Sequence, residues 1–123
     1  MKLTRAEEEI MQIIWELGRC TVSDIRNYME EKMQVEKPPH STISTLVRSI
    51  EKKKFVDYKA YGRTHEYFPI VSKKEYSKFN LKNLVNDYFD GSMSSLVSFI
   101  VKEKDLKTSE LGDLLNQLED SGD

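Results

Sequence analysis

The 123-residue chain has one cysteine, two histidines, three prolines and five glycines. A lone Cys20 excludes a disulfide framework. With His40 and His65 as its only company it makes no zinc-ligand spacing, so no metal or other cofactor is expected. Cys20 reads instead as a small buried residue near a helix end. Long apolar runs are missing too. The longest, Leu96 to Val101, is interrupted by Ser98 and falls far short of the roughly 20 residues that cross a bilayer. The first nine residues are charged and hold no signal-like apolar region. These absences lead to an expectation of a cytoplasmic protein without membrane insertion. Charge of one sign is lacking as well, with 19 Lys and Arg against 21 Asp and Glu, a formal net charge of -2. The total thus gives no argument for nucleic acid.

What the chain does have is periodic pattern. Thr4 and Glu7 form a capping-box spacing ahead of Ala6, Ile10, Ile13, Ile14 and Leu17, which recur at helical intervals until Gly18. A second helix follows Thr21, with Asp24 three residues on and Val22, Ile25, Tyr28 and Met29 as its apolar stripe. Pro38-Pro39 interrupts the pattern. A third helix runs from about His40 to Lys53, striped by Ile43, Leu46, Val47 and Ile50. The period then changes. Residues 55–61 and 64–70 are aromatic and β-branched, with Gly62-Arg63 between them, which predicts a β-hairpin.

From Ser72 onward three shorter helices are expected. Their stripes are Leu81/Leu84/Val85/Tyr88, then Met93/Leu96/Val97/Ile100/Val101, then Leu111/Leu114/Leu115/Leu118. Three helices and a hairpin make the plan of a winged helix-turn-helix domain over residues 1–71. Residues 72–123 are too few to bury three apolar stripes alone, and pairing with a second copy resolves this. The expected fold is therefore mainly α with a small β-hairpin: a winged helix-turn-helix domain followed by a three-helix dimerisation region. Leu84, Tyr88, Leu96, Phe99, Ile100, Leu111, Leu114, Leu115 and Leu118 are its candidate interface residues.

On a helical wheel the third helix turns Ser41, Thr45, Arg48 and Lys52 away from its apolar stripe, flanked by Thr42, Ser44 and Ser49. Short hydroxyl side chains let a helix sit deep in a major groove and reach base edges or phosphates. Residues 40–65 carry six basic side chains (Arg48, Lys52, Lys53, Lys54, Lys59 and Arg63) against Glu51 and Asp57. This +4 strip inside an acidic protein is the electrostatic footprint of phosphate binding. Residues 71–123 carry a net −3. The candidate DNA-binding set is Ser41, Thr42, Ser44, Thr45, Arg48, Lys52, Lys53 and Arg63.

These residues resemble the BlaI/MecI/CopY penicillinase-repressor family of winged-helix regulators. The likeness lies in the opening helix from Leu3-Thr4 to Trp15, in Thr42-Ile43-Ser44-Thr45-Leu46, in Glu51 to Phe55, and in Gly62-Arg63 with Tyr67-Phe68-Pro69. It continues through residues 95–99 and Glu103-Lys104-Asp105-Leu106. The resemblance implies a homodimeric transcriptional repressor on a palindromic DNA operator. It also implies derepression when a membrane-bound sensor metalloprotease leads to cleavage in a C-terminal helix, where Ser98-Phe99 corresponds to the family's Asn-Phe pair. Ser41 and Ser44 stand where Lys or Arg is frequent in the penicillinase repressors, and Lys54 where a Gly usually follows the Lys pair. No Cys-x-Cys cluster of the copper-responsive branch follows Cys20.

No catalytic constellation accompanies the two histidines, and Glu7-Glu8-Glu9 reads as a charge cluster at a helix start, so an enzyme is not expected. Two further readings stay open. One is a winged-helix regulator sensing a small ligand among Tyr76, Phe79, Tyr88 and Phe89, for which ordinary packing is the simpler use of those rings. The other is a winged helix used only for protein contact, which would show no salt-dependent DNA affinity.

Overall fold

The computed structural model describes residues 1–105 and 107–121. The elements follow in the order α1 (Arg5–Leu17), α2 (Val22–Glu31), α3 (His40–Lys52), β1 (Val56–Tyr61), β2 (Thr64–Pro69), α4 (Lys73–Tyr88), α5 (Met93–Glu103) and α6 (Thr108–Ser121). This is the mainly helical architecture with one antiparallel hairpin that the periodicities predict.

Helix starts are set by local chemistry. Thr4 Oγ1 accepts the Glu7 N–H at 3.2 Å while Glu7 Oε1 accepts the Thr4 N–H at 2.7 Å. The same reciprocal pair joins Thr21 to Asp24 and Ser72 to Glu75. Each cap satisfies donors that the first turn leaves unpaired and contributes about 1 kcal/mol. α1 ends at Gly18, whose φ of +80° suits a residue without a β-carbon. α3 differs: it starts behind Pro39 with no side-chain cap and no acid in its first turn.

The chain divides into two compact units, Met1–Tyr76 and the part from Ser77 onward. In the first unit Ile10, Met11 and Ile14 of α1, Ile25 of α2, and Ile43, Val47 and Ile50 of α3 are all buried. Their three- and four-residue spacings place one stripe of each helix against the others. Fully burying such a side chain contributes about 1.5–3 kcal/mol, before the entropy of ordering it. Phe55 and Val56 extend this core, and Tyr76 stands edge-on to Phe55 with ring centroids 5.3 Å apart. The polar tips of the aromatics are satisfied: Tyr76 Oη accepts the Leu3 N–H at 3.2 Å, and Trp15 Nε1 donates to the Val71 carbonyl at 2.9 Å.

In the hairpin Tyr58 pairs with Tyr67, Ala60 with His65 and Tyr61 with Thr64. Cys20 and Tyr67 exchange backbone bonds of 2.9 and 2.7 Å, which fastens β2 to the α1–α2 connection. Burial, then Asp24 and Glu66, pushes the Cys20 thiol up to about 12, so it stays a protonated packing residue.

One carboxylate departs from the sequence reading. Glu7, expected in a solvated cluster at the start of α1, is 2% exposed. It accepts from Lys53 Nζ at 2.6 Å and Ser49 Oγ at 2.5 Å. Burial opposes its charge, but the bonds from Lys53, Ser49 and Thr4 prevail and hold the carboxyl at about 2. The pair bolts α1 to the end of α3.

In the second unit Val85 and Leu96 are buried, Phe89 meets Phe99 edge-on at 5.5 Å, and Ser92 caps α5 by accepting the Ser95 N–H at 3.1 Å. Leu81, Leu84, Tyr88, Met93, Val97, Phe99 and Ile100 remain exposed. Of the expected interface residues, Leu84, Tyr88, Phe99 and Ile100 are therefore open, Leu111 is half-buried, and Leu96 is already covered within the chain. The side chains of Leu114, Leu115 and Leu118, like residue Leu106, lie outside the described residues.

The four aromatics weighed as a ligand pocket have separate duties. Tyr76 belongs to the first unit's core, Phe89 pairs with Phe99, and Tyr88 is 76% exposed. Phe79 is half-buried.

Candidate nucleic-acid interface

α3 carries its apolar stripe inward and thereby sets what it shows outward. With Ile43, Val47 and Ile50 in the core, the 100° turn per residue leaves Ser41, Thr42, Thr45, Arg48 and Lys52 exposed and Ser44 half-buried. No carboxylate falls on this face in the first two turns. Thr45, Arg48, Ser49 and Lys52 line one shallow depression of about 310 Å³.

A second cavity, of about 250 Å³, lies where α3 meets the start of α2 and the hairpin. Ser44 and Arg48 reach it from α3, and Arg63 reaches it from the hairpin tip. Arg48 therefore borders both hollows and joins the helix face to the wing. Neither Arg48 nor Arg63 has a hydrogen-bonded or ion-paired partner among the described residues. Both side chains are exposed. Thr42 and Ser41 sit on the exposed first turn, outside both cavities.

Lys53 behaves differently from its neighbours. Its ammonium is spent on Glu7 and on the Lys2 carbonyl at 3.1 Å, so its first duty is to hold α3 onto α1. Lys52 points to solvent and keeps its charge available.

The chain matches the family model described as the penicillinase repressor over residues 3–120. It belongs to the penicillinase repressor family. The methicillin resistance regulatory protein MecI of Staphylococcus aureus (strain N315) is 32% identical over 117 residues, covering 95% of this chain and 93% of MecI. The penicillinase repressor of Bacillus licheniformis is 22% identical, covering 97% of this chain and 91% of that protein. Among solved structures, the DNA-binding domain of the repressor BlaI aligns with a TM-score of 0.50 at 21% identity, covering 61% of this chain and 88% of that domain. That likeness supports the winged-helix fold. Among the described residues no helix is long and apolar enough to cross a membrane.

Within this family member, the second cavity also contains residues that sequence reasoning left out: Thr21 and Ser23 from the start of α2, His40 from α3, and His65 and Tyr67 from β2. His65 stacks on Tyr58 with centroids 4.0 Å apart and planes 9° from parallel. Alternation along the hairpin carries part of this signal, because Tyr58, Ala60, His65 and Tyr67 share one face. The approach of α2 is a tertiary fact without a local signature.

Proposed function

We propose that this penicillinase-repressor family member is a DNA-binding transcriptional repressor that acts as a homodimer on a palindromic operator. α3 enters the major groove with Ser41, Thr42 and Thr45 toward the bases, while Ser44, Arg48, Lys52 and Arg63 meet the sugar-phosphate backbone. The observation that carries this reading is the exposed face of α3, free of carboxylates in its first two turns and continuous through Arg48 with Arg63, which has no ion pair among the described residues. Lys53 supports the interface indirectly, through Glu7.

The exposed Leu84, Tyr88, Phe99 and Ile100 support pairing of two copies through the second unit. Two copies of α3 then meet the duplex about one helical turn, roughly 34–36 Å, apart. Derepression follows from cleavage at or near Ser98-Phe99 by a membrane-bound sensor metalloprotease. Both residues are exposed, but the bond lies within α5, so scission requires that helix to open locally.

The test is binding to the DNA upstream of the protein's own gene by the wild type and by the double variant Thr45→Glu, Arg48→Glu. The wild type binds and the variant loses at least about 100-fold, through one added and one reversed charge on the DNA-facing side of α3. Equal binding by the variant would remove α3 from the interface.

A further inference from the structure

The cavity between α2, α3 and the hairpin collects more positive charge than recognition by α3 requires. Arg48 and Arg63 border it with no ion pair among the described residues, and His40 and His65 border it from two different elements. No carboxylate is among its lining residues. Around it, Asp24 accepts the Thr21 N–H at 2.9 Å, Glu66 pairs with Arg19 at 3.6 Å, and Glu51 acts on the lining residue Tyr67.

Four potential donors around one small hollow suit an oxyanion and repel a cation. Among the described residues no cluster of three metal-ligating side chains exists, and two imidazoles beside two guanidiniums do not make one. A phosphate fits the chemistry better. Guanidiniums grip its oxygens in bidentate fashion, and each imidazole adds a charge-assisted donor once protonated. The Ser23 and Ser44 hydroxyls supply neutral donors on the same walls.

We propose that this cavity seats one phosphate of a nucleic-acid backbone, gripped by Arg48 and Arg63, with His40 and His65 as protonatable donors that tighten the grip as pH falls. This deepens the DNA-binding reading above and rests on it. The seat lies beside the α3 face, so it fixes register without reading sequence, and any duplex serves as a probe. The charged and titratable groups around the imidazoles are Arg48, Arg63 and Tyr67 of the same lining, Tyr58 stacked on His65, and Glu51, whose charge reaches Tyr67. Tyr67 feels both Glu51 and Arg48, which places these two on opposite sides of the electrostatic balance there. A bound phosphate favours protonated imidazoles beside it, so binding and proton uptake are linked.

The test uses full-length protein, a mixed-sequence DNA duplex and free inorganic phosphate. Affinity is measured at pH 8 and pH 6 for wild type, His40→Gln, His65→Gln and the double variant, with thermal melts to confirm folding. Imidazole NMR signals are followed during both titrations. Wild-type affinity for the duplex rises about three- to tenfold on acidification, and both imidazole signals move with duplex. The double variant loses that rise while its thermal melt matches the wild type's.

Imidazoles silent at saturating duplex, or a full pH response in the folded double variant, would overturn the seat while leaving DNA binding intact. Signals that move with inorganic phosphate and not with duplex would overturn it as well, assigning the cavity to a free phosphate ligand. Absence of duplex binding at either pH would overturn the DNA reading, and the seat with it.

Discussion

In the first unit Ile14, Val47 and Ile50 are completely buried, whereas in the second Tyr88, Phe99 and Ile100 stand 76%, 52% and 41% exposed. The first unit closes a core of fully buried side chains from α1, α2 and α3 and shows a polar, basic α3 face, although Met33, Tyr61 and Ile70 are also exposed. Among the described side chains of the second unit only Val85 and Leu96 are buried, and that part of the chain carries an acidic net charge. The difference teaches how to look for partners. In the proposed function the basic α3 face of the first unit meets phosphate, and the exposed Leu84, Tyr88, Phe99 and Ile100 of the second meet another copy.

The comparison is broken most severely through the first unit's core. Ile14→Ala removes a fully buried side chain and should cost ~3 kcal/mol in a chemical unfolding experiment. Tyr88→Ala, at protein concentrations too low for association, should cost less than about 0.5 kcal/mol. Similar losses at both sites would end the contrast between the units.

Next in size is the second unit's exposed face. Leu84→Asp with Ile100→Asp should convert a dimer to single chains in sedimentation velocity. Apparent affinity for a duplex with two half-sites should fall about 100-fold, with single half-site binding unchanged. Retained dimer mass would place the interface elsewhere.

The contrast is sharpened by the buried ion pair of the first unit. A carboxyl held low contributes stability that is fully present above its ordinary value of 4.5 and lost as pH falls through about 2. Glu7→Gln should therefore be ~2 kcal/mol less stable than wild type at neutral pH, with the gap closing between those two values. Urea melts across that range measure it. A gap independent of pH would mean the amide is lost to packing and not to charge.

The smallest effect is expected at Lys54, which follows α3 with a φ of +65°. Lys54→Gly relieves a left-handed backbone that costs a side-chain-bearing residue about 1 kcal/mol. The variant should melt slightly higher, by ~0.5–1 kcal/mol of stability. A lower melting temperature would reveal a stabilising contact of the lysine side chain.

What could be read along the chain was whatever neighbouring residues decide among themselves. The Thr4/Glu7 and Thr21/Asp24 caps, the Gly18 stop, the α3 stripe and the Gly62 turn all rest on contacts within a few positions. Burial of Glu7 was hidden because its partners Ser49 and Lys53 lie more than forty residues away. A triple glutamate at a helix start satisfies the macrodipole equally well when solvated. The Cys20–Tyr67 bridge and the gathering of His40 and His65 beside Arg48 and Arg63 were hidden for the same reason. The exposed positions Ser41, Thr45, Arg48 and Lys52 of α3 were legible, because an apolar stripe at helical period fixes its opposite side, whereas the turn of Ser49 and Lys53 toward Glu7 was not.

The most direct test of the division between the units is the salt dependence of DNA affinity of the full-length protein, read beside its mass in solution. A dimer presenting Arg48, Lys52 and Arg63 twice neutralises about six phosphates, which gives log affinity against log salt a slope of about −5. That slope with a dimer mass is the predicted result. A slope near zero, or a steep slope from a single chain, would contradict it.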